Sequence, residues 1–110
     1  MIIQLEEAKR TLQGMRGDIV ELGNALKIER IREQAEELEQ KTMMPNFWDD
    51  AANASKVQRE LKQIQDTIEE YENLKVALED AITLADMGIE ENDESVVEAV
   101  LAELANITAV

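Results

Sequence analysis

Side-chain catalysis near neutral pH relies on groups that move protons or attack electrophiles, and the two commonest are missing here. The 110-residue chain has no histidine and no cysteine, which leaves carboxylates, hydroxyls, lysine and one tyrosine. Its 25 Asp and Glu face only 11 Lys and Arg. The pattern puts those carboxylates on solvated helix faces, where nothing tunes them for acid or base work. No catalytic residue is therefore expected. Thiolate metal sites and disulfides are excluded, and nothing argues for an oxidising compartment, so the cytoplasm is the default. EENDESVVEAV (90–100) lacks the glycine and the terminal bidentate Glu spacing of a calcium loop. No glycine-rich phosphate cradle occurs, so neither metal nor cofactor is expected.

The elements that carry these side chains read as helices. Aromatics make up 3 % of the chain, while Ala, Leu, Ile, Val and Glu are plentiful, a composition suited to an aliphatic helical core. Leu5, Ala8, Leu12, Met15, Ile19 and Leu22 recur in steps of three and four, one stripe along a helix over about residues 3–22. The apolar set then slips phase and restarts at Ile28, Ile31, Ala35 and Leu38. Gly23 and Asn24 stand at the slip and predict a turn or sharp kink before a second helix at 26–42. A third stripe runs from Ala54 through Val57, Leu61, Ile64, Ile68, Tyr71, Leu74, Leu78 and Ile82 to Ala85, a helix over 50–87 about 55 Å long. Gly88 is expected to end it in the left-handed conformation. Ser95 with Glu98 fits a capping box, with Asp93 as a competing cap, for a fourth helix at 94–108. The expected fold is all-α, a single elongated antiparallel bundle of three to four coiled-coil-like helices.

MMPNFWDD (43–50) holds the only proline, phenylalanine and tryptophan of the chain. Pro45 closes helix two, Asn46 suits a local turn, and Asp49 offers a cap to a new helix with Asp50 in its first turn. Phe47 and Trp48 are read as a hydrophobic plug at this helix-to-helix corner, or as a partner-binding hot spot.

Charge is uneven along the chain. Residues 1–41 carry seven bases and nine acids, residues 42–110 four and sixteen, and no base follows Lys75. The whole surface, at −14, disfavours direct contact with nucleic acid or anionic lipid. MIIQLEEAKR turns acidic before any long apolar run, so it predicts neither a secretory signal nor a membrane span. The acidic half is read as a solvated face or as a docking surface for a basic protein, with Glu90, Glu91, Asp93 and Glu94 as its candidate residues.

With the corner placed, the chain resembles the amino-terminal helical domain of the bacterial class I peptide chain release factors, in particular the release factor 2 type. The resemblance is carried by ERIREQAEELEQ (29–40), PNFWDD (45–50), AANASKVQRELKQIQ (51–65) and ESVVEAVLAELA (94–105). Ala54, Glu60 and Leu61 match the family's alanine and Glu-Leu pair. Asn46 stands where the family usually has Asp, which keeps the turn chemistry. Leu26-Lys27 replaces a Leu-Asp pair that could cap helix two, leaving Asn24 as the substitute cap.

The resemblance implies a parent factor that terminates translation at UAA and UGA by promoting peptidyl-tRNA hydrolysis. It implies that codon reading by a Ser-Pro-Phe tripeptide and hydrolysis promoted by Gly-Gly-Gln lie in other domains; neither tripeptide occurs in this chain. The domain itself is then not an enzyme. Its implied partners are the remaining release-factor domains, the ribosome near the stalk base of the large subunit and, indirectly, the GTPase release factor. On that reading the chain is truncated inside helix four. Two rival expectations are a self-associating coiled-coil scaffold, for which the fragment would dimerise, and a natural short decoy of the full factor.

Overall fold

The computed structural model describes residues 2–109. The described residues are helical without a strand: α1 (Ile3–Leu26), α2 (Ile28–Thr42), α3 (Ala51–Glu91) and α4 (Val97–Thr108), with short 3₁₀ turns at Phe47–Asp49 and Glu94–Val96. They form two compact units, one built from residues up to Leu22 and from Glu72 onward, the other from Gly23 to Tyr71.

In the first unit the apolar stripe of α1 is buried at Leu5, Ala8, Leu12 and Ile19, as are Leu78, Ala81, Ile82 and Ala85 of α3 and Val100 and Ile107 of α4. Each fully buried leucine contributes on the order of 1.5–3 kcal/mol relative to exposure. Lys9 pairs with Asp86, and Arg16 pairs with Glu79. The partners step by seven in opposite directions, so α1 runs antiparallel to the later part of α3 in heptad register. Arg16 grips Glu79 as a fork, Nε donating to Oε2 at 2.9 Å and Nη2 to Oε1 at 2.7 Å. That paired hydrogen bonding, more than charge alone, lowers the Glu79 pKa and raises that of Arg16.

The second unit centres on Leu38, Phe47, Ala54 and Val57, with Leu61 and Ile64 packed against them. Gln65 Nε2 donates to Glu39 Oε1 at 2.9 Å, fixing α2 beside the first part of α3.

The junctions depart from expectation in instructive ways. Gly23 does not make a turn, because α1 continues to Leu26 and the break falls on Lys27, whose φ of 53° is left-handed. Gly23 serves a different need: it is buried, and a Cβ there would lie 2.5 Å from Tyr71 Oη. The side-chain-free backbone lets the tyrosine ring lie against the helix. Asn24 is not the cap of α2. It sits inside α1, its carbonyl accepts the Lys27 N–H at 3.1 Å, and α2 begins without a side-chain cap. The phase slip in the apolar pattern is thus absorbed by one left-handed residue rather than by a loop.

α3 likewise outlasts its predicted end by four residues. No described glycine has a positive φ; Asn92, at φ 51°, supplies the left-handed residue instead. The Asp93 N–H reaches the Gly88 carbonyl at 2.8 Å and the Asn92 N–H the Ile89 carbonyl at 3.2 Å. This is the Schellman pair that satisfies the last carbonyls of a helix, and asparagine tolerates its left-handed position better than most residues.

Candidate functional site

Two segments were singled out by the sequence, and each occupies a helix junction. At the first, α2 ends at Thr42, and Met43 and Met44 donate their N–H groups back to Gln40 and Lys41. Pro45 follows, and Asn46 turns the chain with φ 69°. The Phe47 N–H then bonds to the Met44 carbonyl at 3.2 Å and the Asp49 N–H to the Asn46 carbonyl at 3.1 Å, closing a tight 3₁₀ turn.

The capping role falls to Asp50, not Asp49. Asp50 is extended, at φ −100° and ψ 92°, and its Oδ1 accepts the Asn53 N–H at 3.1 Å. That is the N3 amide of α3, and such a cap contributes on the order of 1 kcal/mol. Asp49 lies inside the 3₁₀ turn and is exposed.

The two aromatics separate. Phe47 is buried against Leu38, Ala54 and Val57, whereas Trp48 is 58 % exposed, so only one of them plugs the corner. The rings meet edge to face, centroids 4.9 Å apart and planes at 86°, so the buried ring supports the exposed one. Met43 and Met44, at 82 % and 62 % exposure, are two further apolar side chains open to water in the same short segment. Sequence reasoning passed over these methionines, although two apolar residues outside the periodic stripe and just before a proline were a usable signal.

The second segment follows α3. Glu90, Glu91 and Glu94 are exposed, while Asp93 is half-buried and holds the turn. Asp93 Oδ1 accepts the Ser95 N–H at 2.9 Å and the Ser95 hydroxyl at 2.6 Å. The expected capping box gives way to this Asx turn: a 3₁₀ turn intervenes at 94–96, and α4 starts at Val97. The hydrogen bonds from Ser95, led by its hydroxyl, lower the Asp93 pKa. A depressed carboxyl stabilises the fold above its unfolded pKa, and that contribution disappears as pH falls through the folded value. Asp93→Asn should therefore lower the urea midpoint at pH 7, and the gap to the parent should close below the ordinary carboxylate range. A gap unchanged between pH 7 and pH 2.5 would mean that the charge on Asp93 plays no part.

Among the described residues no cluster of acidic side chains could hold a metal, and no helix is long and apolar enough to cross a membrane. What the two junctions offer is surface: one apolar and aromatic, the other anionic.

The PCRF domain family matches residues 31–110, which take in most of α2, the corner, α3 and α4. The chain belongs to the PCRF domain family. Among the similar curated proteins, peptide chain release factor 2 of Clostridium perfringens (strain SM101 / Type A) is 31 % identical over 104 residues, 94 % of this chain and 28 % of that protein. Peptide chain release factor 2 of Sulfurovum sp. (strain NBC37-1) is 34 % identical over 77 residues, 70 % of this chain and 21 % of the relative. The PCRF chain thus spans less than a third of the length of these relatives. No solved structure matches it.

Proposed function

We propose that this chain is the amino-terminal helical domain of a peptide chain release factor that terminates translation at UAA and UGA by promoting peptidyl-tRNA hydrolysis on the ribosome. The domain contributes contacts to the ribosome in the cytoplasm, near the stalk base of the large subunit, and so bears on the GTPase release factor indirectly. Codon reading and hydrolysis belong to the remaining domains. The observation that carries this reading is the PCRF match over residues 31–110, joined to similarity over most of the chain to proteins named peptide chain release factor 2.

Electrostatics favour Glu90, Glu91 and Glu94 as part of that contact, with Asp93 shaping the loop. An acidic surface is repelled by rRNA phosphates and attracted to basic ribosomal proteins. Glu90 and Glu91 also stand in the last turn of α3, where no base offsets the negative end of the helix dipole. They work against folding at that position, so the fold itself gives no reason for acids there. Glu90→Gln, Glu91→Gln and Glu94→Gln together should raise the melting temperature slightly while weakening ribosome binding and flattening its salt dependence. Binding and salt dependence equal to the parent's would remove the acidic loop from the contact.

The second reading, a self-associating scaffold, has in its favour the exposure of Val76 and Leu101, at 56 % and 40 %. Sedimentation equilibrium separates the two: a chain that stays monomeric at high concentration is no self-pairing scaffold.

A further inference from the structure

We propose that the corner between α2 and α3 is an anchor for a basic protein, with Met43, Met44 and Trp48 entering an apolar pocket and Asp49 and Asp50 meeting lysine or arginine at its rim. The proposal rests on the ribosome reading and assigns it a contact point distinct from the acidic loop. Three large apolar side chains within six residues stand mostly in water. The fold gains little from them there, since stabilisation scales with the apolar area removed from water.

Their support is already built. Trp48 leans on the buried Phe47 ring in an edge-to-face pair, and Phe47 is itself held by Leu38, Ala54 and Val57. A tryptophan positioned in advance loses little freedom on binding, and anchors of this type carry most of the energy of an interface. The flanking methionines, unbranched and polarizable, adapt to an irregular pocket.

Charge decides the class of partner. Asp49 and Asp50 are exposed beside the tryptophan, and the sole base in the ten residues 41–50 is Lys41. Stacking of Trp48 on RNA bases would bring two carboxylates toward the phosphate backbone, so a basic protein surface is favoured over nucleic acid.

The test uses the 110-residue chain, purified 70S ribosomes and, in a parallel arm, protein-free rRNA. Binding is read by co-sedimentation over a range of salt concentrations, and folding of each variant by its urea midpoint. Trp48→Ala should weaken ribosome binding at least about 10-fold with the fold intact. The double variant Met43→Ser, Met44→Ser should weaken it less, and Asp49→Asn should reduce the salt dependence. A Trp48→Ala chain that binds ribosomes like the parent overturns the anchor and leaves the ribosome reading standing. A parent chain that does not bind ribosomes overturns both. Trp48-dependent binding reproduced on protein-free rRNA would make the partner an RNA and likewise end the proposal.

Discussion

Phe47→Ala is expected to destabilise the protein by about 3–4 kcal/mol, and Trp48→Ala, one residue along, by less than about 1 kcal/mol. The two residues are similar in size and hydrophobicity, so any account based on sequence type alone would give them similar costs. The difference lies in burial: Phe47 is 8 % exposed within the Leu38, Ala54 and Val57 cluster, and Trp48 is 58 % exposed. Removing the phenylalanine ring leaves a cavity where α2 and α3 meet, and the 3₁₀ turn cannot close on it without pulling Ala54 away from its Asp50 hydrogen bond of 2.9 Å. The loss should appear as a lower urea midpoint by far-UV circular dichroism. Trp48 emission in the folded Phe47→Ala chain should also shift to the red, because the supporting ring has gone. Equal midpoints for the two alanine variants would defeat this picture of the corner.

The helices and the corner were legible because their signals are local. A stripe from Leu5 to Ile19 at helical spacing and a proline at position 45 act within one or two turns of the chain, and periodicity and ring chemistry report them directly. The misreadings share another origin. Gly23 and Gly88 are glycines near expected helix ends, and the habit of glycine at such positions predicts turns. Each instead sits within a helix because a distant side chain needs the space: Tyr71 at Gly23, Leu5 and Val96 at Gly88. Such partners are tens of residues away in sequence, except for Val96, and their approach is a property of packing. The split between Phe47 and Trp48 was hidden for the same reason. A 3₁₀ turn sends successive side chains in different directions, and only the placement of Leu38, Ala54 and Val57 determines which ring is covered. Asp50 took the cap from Asp49 once that turn displaced the start of α3 by one residue.

Gly88→Ala should destabilise the protein by about 1–2 kcal/mol, whereas the same substitution at Gly14 or Gly17 should stabilise it by about 0.5–1 kcal/mol. All three positions lie in helices without a positive φ, so alanine gains the same intrinsic preference at each. The surroundings differ. At Gly14 and Gly17 a new Cβ meets nothing within 4 Å, and the propensity gain is kept whole. At Gly88 it overlaps Val96 Cγ2 and lies 2.7 Å from Leu5 Cδ1. Val96 is β-branched and stiff, and Leu5 is fully buried with 0 % exposure, so neither can yield cheaply. The strain would also fall on the Schellman pair, because the Gly88 carbonyl accepts the Asp93 N–H. Gly88→Ala should therefore expose the amides of Asn92 and Asp93 to faster hydrogen exchange, while Gly14→Ala leaves them protected. A Gly88→Ala chain as stable as Gly14→Ala, with unchanged exchange at those amides, would show that the α3 terminus has room the packing around Leu5 and Val96 does not suggest.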